Sequence, residues 1–269
     1  MEMIFFIAMF LLVAYVTYRN AVMIARYRHN KEYIECYKEL LAEADTAYDR
    51  ICSYINNENE EEFKNKGRIL KLYVQMDRPE DVSETLNSLD LSKIFTRNGK
   101  YSRQQVTTNT DVFVWLYMDM AKARRMSKFD VLDSLKEKFD GLSMMANRVE
   151  YQLFYAIYNA LCEKEDAGVE MLSSMLDGNF AKYEYEKNLI GLFKRFASAT
   201  LAYSGEPMED YYKEDLHSFA ATQIGKTYMR DLEILEKYPP RKEQEEETKQ
   251  EEEPKEVSQE ETKEGENDR

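Results

Sequence analysis

The chain is poor in the residues that punctuate a fold and in those that do metal or disulfide chemistry. It has nine glycines, five prolines, three cysteines and two histidines among 269 residues. So few turn formers cannot supply the many tight corners of a β-sandwich or barrel, and they favour long uninterrupted helices. An all-α fold is the expectation. Cys36 and Cys52 fall in one expected helix, about 24 Å apart at the helical rise, beyond the reach of a disulfide. With Cys162 they read as reduced residues. His29 and His217 have no second His or Cys at ligand spacing, so neither a metal site nor a bound cofactor is expected. No Gly-x-Ser-x-Gly, Gly-x-Gly-x-x-Gly or His-Glu-x-x-His occurs, and the familiar nucleophile, dinucleotide and metalloprotease templates are missing. Ile224-Gly225-Lys226-Thr227 copies the end of a phosphate loop, but Ala220 stands where that loop needs its first glycine.

Positive charge is also scarce, the formal net charge being −14. Phosphate binding needs a concentrated basic surface, so nucleic acid is not an expected partner. About half the excess lies beyond residue 240, where thirteen acidic residues face six basic ones. That segment has no aromatic residue and one aliphatic, Val257, too little to offset its ordering entropy. Residues 239–269 therefore read as a disordered acidic tail.

What is there begins at the amino end. Residues 3–18 are uncharged and almost wholly apolar, a run of about 24 Å as a helix, with Arg19 behind it. They read as a single transmembrane anchor over 1–19, with Tyr15 and Tyr18 at headgroup level and Arg19 reaching past it. Arg19, Arg26, Arg28 and Lys31 follow the run and only Glu2 precedes it. By the positive-inside rule the short N-terminus would lie outside and the rest in the cytoplasm of a single-pass cell-membrane protein touching the bilayer through 3–18. The absence of any Asn-x-Ser/Thr acceptor is compatible with that orientation.

Residues 20–57 carry apolar positions at helical spacing (Ile34, Tyr37, Leu41, Ala44, Tyr48, Ile51) and read as one amphipathic juxtamembrane helix, a candidate for self-association. From 58 to 238 helices alternate with short breaks: 61–76, 79–89 opening on Pro79 and Glu80, a loop at Asn98-Gly99, 108–126, 128–139, 143–163, 167–176, 184–203 ending near Pro207, and 208–238. Successive pairs predict an array of helical hairpins, an α-solenoid.

Two of these pairs resemble the tetratricopeptide repeat. Ile69, Tyr73, Val82 and Leu86 fall at the repeat's offsets in 66–94, as do Phe154, Tyr158, Ala167 and Met171 in 151–179. Leu70 and Tyr155 stand where the repeat has its small residue, and neither pair ends in Pro. The resemblance implies stacked hairpins with an inner groove. Aromatics on that groove suit peptide recognition, and Trp115, Tyr155 and Tyr158 are the candidate binding residues. Lys122, Arg124, Arg125 and Lys128 form a basic cluster that reads as a solvated helix end. The function expected is a membrane-tethered scaffold or adaptor for protein–protein interaction, not an enzyme. The alternative is an enzyme or enzyme subunit with dispersed carboxylates and tyrosines in the groove.

Overall fold

The computed structural model describes residues 2–78, 81–97, 100–101, 106, 108–162, 165–206 and 208–240. In chain order its elements are α1 (Glu2–Leu41), α2 (Ala47–Asn57), α3 (Glu61–Gln75), α4 (Ser83–Ser88) and α5 (Ser92–Phe95). A two-rung antiparallel ladder follows, β1 (Thr96–Arg97) with β2 (Lys100–Tyr101), pairing Thr96 with Tyr101 and Arg97 with Lys100. Then come α6 (Thr110–Arg125), α7 (Phe129–Asp140), α8 (Val149–Leu161), α9 (Glu165–Leu176), α10 (Lys187–Tyr203), α11 (Asp210–Ala221) and α12 (Gln223–Asp231). Pro79-Glu80, Asn98-Gly99, Pro207 and the expected acidic tail beyond 240 lie outside the described residues.

The core is built around α6. Every residue from Val112 to Ala123 is buried, as befits a helix with apolar side chains on all sides. It packs against α3, α7, α8 and α12. Phe113 stacks on Phe95 at 4.9 Å and meets Phe139 edge-on, while Tyr117 meets Phe196 at 5.3 Å. Phe196 in turn touches Phe219 and Tyr228. This chain of rings links α5, α6, α10, α11 and α12, each contact contributing about 0.5–1.5 kcal/mol beyond area burial.

The all-α expectation holds over the described elements, with the short β1–β2 ladder added. The open array of hairpins does not form. In a solenoid each unit touches only its neighbours, whereas here α12 returns to pack on both α1 and α6. The sheer number of apolar residues on α6 requires cover on every side, and a neighbour-only array leaves one side open.

The expected anchor is also overturned. Among the described residues no helix is long and apolar enough to cross a membrane. The uncharged run 3–18 is about 24 Å long as a helix, short of the ~30 Å of a hydrocarbon core. The helix then continues unbroken through Arg19, Arg26 and Arg28 to Leu41. The single-pass location and the outside N-terminus fall with it. Arg26 is bound to Glu62 at 2.8 Å. Tyr15, Tyr18, Arg19 and Arg28 are exposed along a projecting helix.

The 20–57 helix is two helices. It breaks after Leu41 at Glu43, which has a positive φ of 54°, and α2 turns back to pack on α1. Tyr33, Cys36 and Leu40 form the buried stripe of the C-terminal part of α1. Burial among them pushes the Cys36 thiol up to about 11, so it is inert at neutral pH. His29 anchors the same junction. Its Nδ1 lies 2.6 Å from buried Glu58, and its ring stacks on Phe63. Glu58 also accepts from the backbone N–H groups of Asn59 and Glu60 where α3 begins.

Candidate functional site

A cleft of about 420 Å³ opens where α1, α3, α6 and α12 meet. Leu40, Ala44, Ala47 and Val74 supply apolar walls, Tyr73 and Trp115 the aromatic ones, and Glu43, Asp77, Lys122, Arg125 and Arg230 the charge. The turn at Glu43 makes the cleft, because a straight helix would carry α1 past α12 instead of ending it at the opening.

Trp115 sits at the base, 0% exposed. Tyr37 and Tyr73 meet its ring edge-on at 5.5 and 5.3 Å, and its indole N–H has no hydrogen-bond partner among the described residues. One turn along α6 lies Asp119, also 0% exposed, with both carboxylate oxygens unpartnered. Burial holds its carboxyl well above the usual range, Lys122 pulling it down and Asp231 pushing it up. The spacing 115, 119, 122 keeps all three on one face of α6.

Lys122 is nearly enclosed, with its ammonium 3.9 Å from the Tyr73 ring centroid and bonded to Asp77 on the rim. Burial lowers its pKa and Asp77 opposes the shift. Arg125 reaches Asp231 at 3.3 Å and Asp77 at 3.7 Å, and Arg230 binds Glu43. The Tyr73 hydroxyl donates to Asp231 at 2.5 Å. Burial raises the Asp231 carboxyl, opposed first by the Tyr73 hydrogen bond and then by Arg125, Lys122 and Arg230. The cleft lining thus sets Lys122, Arg125 and Arg230 against Glu43 and Asp77. Buried Asp231 behind it supplies the third negative charge, 3.3 Å from Arg125.

Of the candidate binding residues, only Trp115 lines this cleft. Tyr155 and Tyr158 lie on α8 and serve its packing against α7: Tyr158 is 5% exposed and donates to Asp133 at 2.6 Å, and Tyr155 donates to Asp140. Tyr151 and Phe154 stack on Phe139 of α7 beside them. The basic cluster is no solvated helix end, because its members clamp elements together. Besides Lys122 and Arg125, Lys128 donates to the Met76 carbonyl at 3.0 Å and Arg124 to the Tyr203 hydroxyl at 3.1 Å. Thr227, from the Gly-Lys-Thr stretch, lines the cleft, while Gly225 lies in the first turn of α12, bonded to the capping Thr222. His217 donates from Nδ1 to the Pro239 carbonyl, 2.6 Å away. Sequence reasoning missed Tyr73 as a site residue, and Asp119, Asp231 and Arg230 altogether. An acid and a lysine on the Trp115 face of so apolar a helix, Asp119 and Lys122, were the available signal.

Among the described residues no group of three His, Cys, Asp or Glu side chains is placed to hold a metal ion. The chain matches no known protein family, no curated protein and no solved structure.

Proposed function

We propose that the chain is a helical scaffold that binds a protein partner through the cleft between α1, α3, α6 and α12. The observation that carries this reading is Trp115, enclosed at the base of an open cleft with its indole N–H unbonded. Trp, Tyr and Arg are the side chains that dominate binding energy at interfaces, and they do so from desolvated pockets ringed by polar groups. Trp115, Tyr73, Arg125 and Arg230 make that combination here. The occupant that suits paired rim charges and an apolar wall is a peptide segment with one apolar anchor side chain set against Leu40, Ala47 and Val74.

The test plugs the cleft from its half-buried wall. Ala44→Tyr fills the opening, and Tyr155→Ala alters the distant α7–α8 face. Affinity capture followed by titration of the recovered partner should give at least tenfold weaker binding for Ala44→Tyr and unchanged binding for Tyr155→Ala. The reverse pattern would move the binding surface to α8.

The enzyme reading draws on one observation: Asp119, its carboxyl raised by burial, and the Tyr73–Asp231 pair stand beside Lys122. Asp119 separates the two. A scaffold keeps its partner in Asp119→Leu, because the carboxyl is enclosed; a proton-transferring site does not survive that change.

A further inference from the structure

We infer that the projecting half of α1 is a self-association strip that pairs in parallel with a second copy of this chain. Along this part of the helix Met9 is 45% exposed, Val13 57%, Val16 46%, Met23 60% and Tyr27 70%. Those residues, with exposed Asn20, are spaced 4, 3, 4, 3 and 4 apart. That is the alternation of the a and d positions of a heptad, with Val13, Asn20 and Tyr27 at a and Met9, Val16 and Met23 at d. Leu12 and Ile24, 56% and 58% exposed, fall at the flanking g and e positions and widen the strip.

Three features select an identical partner. First, Asn20 is the one polar side chain on the seam. In a parallel, in-register pair it meets Asn20 of the other copy, where two amides satisfy each other; against an apolar stranger it would be buried unpaired. Second, at their exposures the seven apolar side chains of the strip offer roughly 750 Å² per copy, against the ~800 Å² per partner of a standard stable interface. Third, charge does not oppose the pairing. Arg26 at a g position is bound to Glu62 of its own chain at 2.8 Å, and Arg19, the other g base, faces an Ile24 across the pair. Tyr18 falls at f, on the far side. The strip also stops where the domain starts, since Tyr33, Cys36 and Leu40 turn a different stripe inward.

Sedimentation equilibrium of the full chain over a hundredfold concentration range tests this. Wild type and Tyr18→Glu should associate, Val16→Glu should associate at least tenfold more weakly, and all three should keep the same circular dichroism. Val13→Cys, oxidised, should give a disulfide-linked dimer above the background of Cys36, Cys52 and Cys162. A monomer throughout, equal loss in both glutamate variants, or association indifferent to Val16→Glu overturns the proposal. So does a chain that stays monomeric alone and co-sediments with anionic lipid vesicles through α1.

Discussion

Asp119 is the residue where burial and chemistry conflict most sharply. Both oxygens are enclosed without a hydrogen bond, and desolvation keeps the carboxyl protonated above its ordinary range. The folded chain therefore holds a proton that the unfolded chain releases above about pH 4. The contribution of this group to stability is fully present below that pH and is lost as pH rises toward the folded-state value. Asp119→Leu, which removes two unpartnered oxygens at similar volume, is expected to stabilise the fold by about 1–3 kcal/mol at pH 7. Chemical denaturation at pH 7 and pH 3.5 should show the gain shrinking at the lower pH. Trp115 is legible in the sequence as a candidate binding residue and Lys122 only as part of a basic helix end; the partners of neither are legible. Tyr73 is 158 positions from Asp231, and Asp77 is 45 from Lys122; nothing local encodes either pair.

The helix ends explain where sequence reading succeeded and failed. With so little glycine available, three helices end on non-glycine residues of positive φ: Glu43, Ser127 and Glu233. Each carries the same double bond pattern. Ala44 N–H donates to Glu39 O and Glu43 N–H to Leu40 O; Lys128 to Ala123 and Ser127 to Arg124; Ile234 to Met229 and Glu233 to Arg230. This is the Schellman end usually marked by glycine, so the break at 43 leaves no signal within 20–57, and the end at 233 none within 208–238, a stretch that reads as one long or one broken helix. The conformation costs each non-glycine residue roughly 1–2 kcal/mol. Ser127→Gly is therefore expected to raise stability by up to about 1 kcal/mol, after the greater flexibility of glycine in the unfolded chain is deducted, visible as a higher denaturation midpoint with unchanged slope. Gly168 is the opposite case. A Cβ there would stand 2.2 Å from the Ala160 backbone nitrogen, so α9 crosses α8 at a glycine rather than at Tyr155, the position the repeat pattern reserves for a small residue. Gly168→Ala should cost about 1–3 kcal/mol through overpacking, measurable in the same denaturation experiment.

The described fold is closed by α12. α12 is tied to α3 by Tyr73–Asp231, to the turn after α1 by Arg230–Glu43, and to the end of α1 by the Gln223 side chain donating to the Leu41 carbonyl. The cleft exists only because these contacts hold α12 against α1 and α6. Tyr73→Phe removes one buried bond to a carboxyl and should cost about 1.5–3 kcal/mol. Hydrogen exchange should show the loss first in α12 and the C-terminal half of α1, with α8 and α9 slowest to respond. If α8 opens as early as α12, the closure is not a separable unit.

Sequence alone determined the helical class and the positions of most helices from α3 to α10, because these follow from local periodicity and from the scarcity of turn-forming residues. Tertiary structure decided the rest. Only the packed fold could choose which face of each helix is inward, end α1 at a turn with no glycine, and bring Tyr73, Trp115, Lys122 and Asp231 together from three helices. It also decided against the anchor reading. An apolar run specifies that side chains avoid water, while what covers them depends on the helix they belong to and on what else that helix touches.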